Sequence, residues 1–363
     1  MSVHVIPDTP DVRAQMSRGQ EEGLEKLGLS AGSVAVWEDG YRAASSESDT
    51  FEWWYFDCQF DDGSTLVVTF SNKPHTEPDG PLRPTVLVIR QHTDGTRIHL
   101  EPAFEPSQFS ASTEKCDVTI GANTVSGDLD RYTMHIEVDG LVADLTMVRQ
   151  APSWRPGAGA TFLNREQTRY FAWVVPVPYG TVDAVITENG ETTTLTGSGY
   201  HDHNWGNQLM SSFLDHWFWG RAHIEDYTVV YVQMITKGVF GLGQIAIPTF
   251  YLAKGDDLLT DDLLPLRLAT KNEVDGPGDQ TYPTVLEWTW EKGADTVSFT
   301  ATNPVLIEAL DMRPERHGLS RLLHAAEHPE YYDFNADMTL EVNIGEVHEV
   351  VTGKTLYEKM MFR

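Results

Sequence analysis

In GSGYHDHNWGNQ, residues 197–208, two histidines bracket an aspartate. Those side chains could ligate a metal, move a proton or tie a corner of the fold together. Strand geometry separates them. If the preceding TTLTGSG run continues as a β-strand through the motif, alternation sends Tyr200, Asp202 and Asn204 to one face and His201, His203 and Trp205 to the other. A His-x-His pair on one strand face can put two imidazoles on one metal, but a zinc site needs further protein ligands and Asp202 points away. Helix-borne zinc signatures and Cys clusters are absent, so no metal is expected. Only a site assembled from distant residues, His216 and His223 among them, stays open. His201 and His203 read as hydrogen-bonded structural residues at a corner that the flanking glycines permit.

Asp202 is the candidate for acid–base chemistry. If its face points into an aromatic-lined interior, burial disfavours the carboxylate and raises the pKa, which leaves a neutral acid able to donate a proton or a hydrogen bond. Protonating an alkene creates a cation that aromatic faces stabilise, and a hydrogen bond to a carbonyl polarises an attached diene or dienophile. The competing reading is a capped, ion-paired corner aspartate. Other chemistries lack their motifs: there is no Gly-x-Ser-x-Gly elbow, no phosphate loop and no strand-linked Gly-x-Gly-x-x-Gly. A glycosidase pair cannot be singled out among 54 acidic residues.

The elements that must position these residues read as β-strands. DDGS at 61, TDGT at 93, VDGL at 138 and ENGE at 188 punctuate runs rich in β-branched and aromatic residues, such as STLVVTF, PTVLVIRQ and YTVVYVQMI. Short strands between hairpin signals predict an all-β sandwich or barrel. Helix is expected only at residues 10–27 and 318–327. WYFDCQFDDGSTLVVTF from Trp54 and WFWGRAHIEDYTVVYVQ from Trp217 repeat an aromatic strand, an acidic turn and a β-branched strand, which predicts a duplicated β domain. The tryptophans gather near these openings, where they can fill cores or line an apolar cavity.

The 363 residues suffice for about two domains. No apolar run approaches the ~18 residues of a membrane-spanning helix, and the amino terminus lacks a basic region followed by an apolar block. Two cysteines argue against a disulfide framework, so a cytoplasmic setting is the expectation. The net charge of −28 repels phosphate backbones and anionic lipid. Nucleic acid and membrane are therefore poor partners, and a neutral or apolar small molecule a better one.

FEWWYFD at 51–57, GSGYHDHNWG at 197–206 and WFWGRA at 217–222 together resemble the superfamily of carotenoid 1,2-hydratases, or hydroxyneurosporene synthases. That superfamily includes lipocalin-like proteins and the Diels–Alderases and other cyclases of natural-product pathways. The resemblance extends from about residue 45 to the end. It implies two tandem lipocalin-like β-barrel domains, 46–206 and 207–363, behind an N-terminal extension of residues 1–45, with a substrate pocket near their junction. It places the family's acidic residue on Asp202, with Tyr200 beside it and Trp173 as the upstream aromatic. HDHNWG after the tyrosine departs from the hydratase pattern and points to the cyclase branch.

The expectation is a cofactor-independent cyclase that folds a linear polyene or polyketide in an apolar pocket and promotes a [4+2] cyclisation or related rearrangement. Asp202, Tyr200 and Trp173 are the expected catalytic residues; Trp54, Phe56, Asn204, Trp217, Trp219 and His201 are the expected substrate contacts. Restriction to near-attack geometry supplies part of the ~7–11 kcal/mol available from orientation. The alternatives are a hydratase, in which Asp202 protonates a terminal double bond, and a non-catalytic carrier of apolar ligands.

Overall fold

The computed structural model describes residues 3–43, 49–164, 166–238, 243–276, 280–311 and 329–362. The chain opens with β1 (Val3–Val5) and α1 (Pro10–Leu27). The helix expected at residues 10–27 is α1; the one expected at 318–327 lies outside the described residues. Contacts divide the chain into two compact units, one of Met16–Leu209 and one of Met1–Gln15 with Met210–Arg363. The segment read as an N-terminal extension is thus shared between them, because β1 adds as a parallel strand to the sheet of the second unit.

The unit Met16–Leu209 holds β2 (Phe51–Phe60), β3 (Thr65–Ser71), β4 (Thr85–Gln91), β5 (Arg97–Leu100), β6 (Phe109–Ala111), β7 (Asp117–Ile120), β8 (Asn123–Gly127), β9 (Arg131–Val138), β10 (Leu141–Arg149), β11 (Ala160–Phe162), β12 (Tyr170–Glu188) and β13 (Glu191–Gly206). They form one curled sheet in the order β5-β4-β3-β2-β13-β12-β10-β9-β8-β7-β6, with β11 against β12. Strict alternation produces its core: Tyr132, Met134, Ile136 and Val138 of β9 pack inward with Leu141, Ala143, Leu145 and Met147 of β10. Two-residue hairpins close at Asp139-Gly140 and Asn189-Gly190, all four residues at positive φ. This is the conformation that Asp-Gly and Asn-Gly favour and that matches strand twist.

The other unit holds β14 (Leu214–Ile224), β15 (Tyr227–Thr236), β16 (Gln244–Lys254), β17 (Asp257–Thr260), β18 (Arg267–Asp275), β19 (Thr281–Lys292), β20 (Asp295–Asp311), β21 (Pro329–Ile344) and β22 (Val347–Phe362). Its order is β1-β16-β15-β14-β22-β21-β20-β19-β18, with β17 against β16. Both sheets repeat one connection. The strand opening each, β2 or β14, lies between its hairpin partner and the last strand of its sheet, β13 or β22. The side-by-side match of Trp54 with Trp217 does not survive at the side chains. Trp54 is fully buried in its core, whereas β14 turns Phe218, Ala222 and Ile224 inward and Trp217 to the opposite face. A slip of one residue exchanges the faces of a strand. No helix among the described residues is long and apolar enough to cross a membrane.

Candidate active site

The motif is not a corner. β13 runs through it without interruption, and its glycines serve close packing rather than a turn. A Cβ on Gly197 would lie 2.2 Å from the Gln59 carbonyl oxygen, and one on Gly206 2.8 Å from that of Tyr170. Only glycine lets both neighbouring strands approach this closely. The resulting register sets Asp202 opposite Tyr55, Tyr200 opposite Asp57 and Asn204 opposite Trp53 on β2, with Trp173 of β12 opposite Asn204 from the other side. Directly opposed residues share a face, so Asp202, Tyr200, Asn204, Trp173, Trp53 and Tyr55 project to one side of the sheet.

Three donors converge on the Asp202 carboxyl. Trp173 Nε1 donates to Oδ2 at 2.9 Å, the Tyr200 hydroxyl donates to the same oxygen at 2.8 Å, and Asn204 Nδ2 donates to Oδ1 at 2.7 Å. Asp202 is 7% exposed and Tyr200 fully buried. Burial disfavours the charged carboxylate and outweighs the hydrogen bonds from Tyr200, Trp173 and Asn204, so Asp202 is pushed up to about 6. The neutral acid expected from burial is thus one of two accessible forms of Asp202. The three donors keep the carboxylate within reach at neutral pH, and the group changes charge near pH 6.

Aromatic rings surround this carboxyl on its own face. Trp154 meets Trp173 edge-on with centroids 5.4 Å apart, and Tyr55 meets Tyr200 edge-on at 6.3 Å. Trp53 lies 6.1 Å from Phe171 and stacks on Phe51 at 5.7 Å. Trp53, Tyr55 and Phe171 are half-buried and leave ring surface accessible. Sequence reasoning missed Trp53, Tyr55, Phe171 and Trp154. Counting along β2 in phase with Asp202 would have found the first two, but the phase is set by a pairing partner about 150 residues away, on β13. Trp154 sits in a loop and joins β12 through a single bridge to Val175, which no periodicity marks.

Trp54, Phe56 and His201 lie on the other face, a correction to the expected substrate wall. Trp54 and Phe56 are fully buried core residues. His203 stacks on Trp54 at 4.7 Å and His201 on Phe56 at 3.9 Å. His201 Nδ1 donates to the Tyr55 carbonyl at 2.9 Å, and its Nε2 lies 3.1 Å from Asp39 Oδ2, which also accepts from the Tyr132 hydroxyl at 2.5 Å. His203 Nε2 meets Glu52 Oε1 at 2.8 Å, and the Glu52 oxygens also accept the backbone N–H groups of Arg42 and Ala43. Burial drives this pair toward its uncharged forms, Glu52 up to about 8 and His203 down to about 3. The two backbone donors and the nearby Arg42 charge pull Glu52 back toward carboxylate. Asp39, Cys116 and His201 offer donor atoms all within 4.8 Å of one another, a buried set able to hold a metal ion. Trp217 and Trp219 belong to β14 in the other unit, where both are half-buried and Trp217 Nε1 donates to Glu358 at 2.7 Å.

Residues 42–259 match the model of a family described as Diels-Alderase-like, which is more than half of the chain. The chain belongs to the Diels-Alderase-like family. Two relatives of this Diels-Alderase-like protein are quinolone epoxide rearrangement proteins. One, from Penicillium thymicola, is 26% identical over 211 residues, covering 52% of this chain and 56% of that protein. The other, from Emericella nidulans, is 26% identical over 214 residues, covering 52% and 55%. The chain thus spans about half the length of the curated relatives it matches. Among solved structures, CghA with Sch210972 superposes with a TM-score of 0.59 at 15% identity, covering 91% of this chain and 96% of that one. Kievitone hydratase from Nectria haematococca does so with 0.54 at 13%, covering 91% and 95%. At such identity these likenesses establish the lipocalin-like fold of the Diels-Alderase-like chain and nothing finer.

Proposed function

We propose that this Diels-Alderase-like protein is a cofactor-independent enzyme of natural-product biosynthesis. In this reading it rearranges or cyclises an apolar polyene or polyketide substrate against the aromatic face around Asp202. The observation that carries the reading is one carboxyl, buried among rings, held by Trp173, Tyr200 and Asn204, and pushed by burial up to about 6. When protonated, Asp202 is the proton or hydrogen-bond donor to a substrate carbonyl, epoxide oxygen or alkene. Tyr200 can pass from donating to Asp202 to accepting from it, because a phenol does both, while Trp173 only donates and so fixes the orientation of the acid. Trp53, Tyr55, Phe171 and Trp173 supply flat surface for a folded substrate and their π-faces for developing positive charge. The names of the quinolone epoxide rearrangement relatives support an oxygen-bearing electrophile as the group activated. Two buried thiols without a disulfide support a reducing, cytoplasmic setting.

The test is conversion of linear polyene polyketides and alkenyl epoxides by the wild type and Asp202→Asn, with products read by mass. The expected product is an isomer of unchanged mass, and the variant loses roughly 10²–10⁴-fold in rate, as for a general acid. Full activity in a folded variant would remove Asp202 from the mechanism. Products heavier by one water would make the protein a hydratase, and binding without turnover would make it a carrier.

A further inference from the structure

On the face opposite Asp202, two buried atoms aim at each other with no hydrogen-bond partner: His203 Nδ1 and Asp39 Oδ1. They are 3.5 Å apart, and both side chains are at most 1% exposed. An unsatisfied polar atom at this depth is costly. The separation is beyond the ~2.7–3.2 Å at which a proton would bond them. It matches the spacing of a nitrogen and an oxygen on one tetrahedral zinc, since bonds of about 2.0–2.1 Å put such ligands about 3.4 Å apart.

Two further donors lie beside Asp39. His201 presents Nε2 to the same Asp39, and the Cys116 sulfur lies within 4.8 Å of both. Each imidazole is oriented as metal-bound histidines are, with its remote ring nitrogen held by an acceptor. A carbonyl only accepts, so His201 Nδ1 carries its hydrogen toward Tyr55 and Nε2 keeps its lone pair. His203 Nε2 meets Glu52 Oε1 at 2.8 Å, and when Glu52 is the acceptor the His203 lone pair is on Nδ1. The Tyr132 hydroxyl steadies the Asp39 carboxylate. Strand alternation denied the His-x-His pair a third ligand in Asp202. The fold supplies Asp39 from the turn before β2 and Cys116 from the loop before β7 instead.

We propose that Asp39, Cys116 and His201 hold a structural zinc ion in the core of the unit Met16–Leu209, with His203, whose Nδ1 lies 3.5 Å from Asp39, as the fourth ligand that joins when the ion binds. A thiolate and a carboxylate balance the dication, and sulfur with imidazole selects zinc over magnesium or calcium. All of these residues are buried, away from the face that carries Asp202, so the role is stability rather than catalysis.

The test uses the full chain purified under reducing conditions. Metal content is measured directly, and Co²⁺ is titrated into chelator-treated protein while the thiolate-to-cobalt charge-transfer band is followed. The expected result is one zinc per chain, a band saturating at one equivalent, and a melting temperature that falls on chelation and recovers with Zn²⁺. Cys116→Ala removes the band, while His135→Gln, at an exposed His–Asp pair elsewhere on the sheet, keeps it. Folded wild-type protein with neither bound metal nor a cobalt band overturns the proposal, as does a band that persists in Cys116→Ala. The metal measurements on the wild type need no variant to fold.

Discussion

Replacing Trp173 by phenylalanine should raise the pKa of Asp202. The indole N–H donates to Oδ2 at 2.9 Å, and a carboxylate values such a donor far more than the neutral acid does. Hydrogen bonds to charged groups contribute about 1.5–3 kcal/mol. If half or more of that is specific to the ionised form, its loss moves the pKa up by about one, at 1.36 kcal/mol per pH unit. Asp202 would then titrate near 7 rather than at about 6. At pH 7 the protonated fraction would rise from about a tenth to about a half. The readout is the ¹³Cγ shift of labelled aspartate across pH, with the Asp202 resonance identified by its absence in Asp202→Asn. An unchanged or lowered pKa in a folded Trp173→Phe protein would refute the reasoning, because water entering the vacated volume would then outweigh the lost donor. The same titration enters stability with a definite sign. Asp202 binds its proton more tightly folded than unfolded, so its contribution is complete below about pH 4 and lost as the pH rises through 6, about 3 kcal/mol in all.

Two further outcomes probe the scaffold. Gly197→Ala should destabilise the chain by about 1–3 kcal/mol or more in urea unfolding, because its Cβ would meet the Gln59 carbonyl oxygen at 2.2 Å and β2 would have to shift away from β13; unchanged stability would mean that this pairing is soft. Arg155→Ala should cost about 3–5 kcal/mol by leaving Glu38 charged and buried, and Glu38→Gln in the same chain should recover part of the loss.

Much of the site was legible because strand alternation is a local property. The alternation of TTLTGSGYHDHNW as a strand is enough to place Tyr200, Asp202 and Asn204 together and the two histidines behind them, and the structure has that arrangement. The Asp-Gly and Asn-Gly turns identified hairpins for the same reason: their positive φ angles are a demand on single residues. The wall around the acid was not legible. Trp54 and Phe56 are as aromatic as Trp53 and Tyr55, and composition cannot say which pair faces Asp202.

That choice belongs to register. Tyr55 faces the acid because it pairs with Asp202 across β2 and β13, and a slip of one residue would have presented Trp54 instead. Sequence alone determined the all-β class and the shared face of Tyr200, Asp202 and Asn204 on β13, since each follows from neighbours within a few residues. Tertiary structure alone decided how strongly Asp202 is desolvated, which rings surround it, and that Asp39 and Cys116 come to His201. Burial and long-range pairing are properties of the folded chain, and no local pattern encodes the distance between residues 39, 116 and 201.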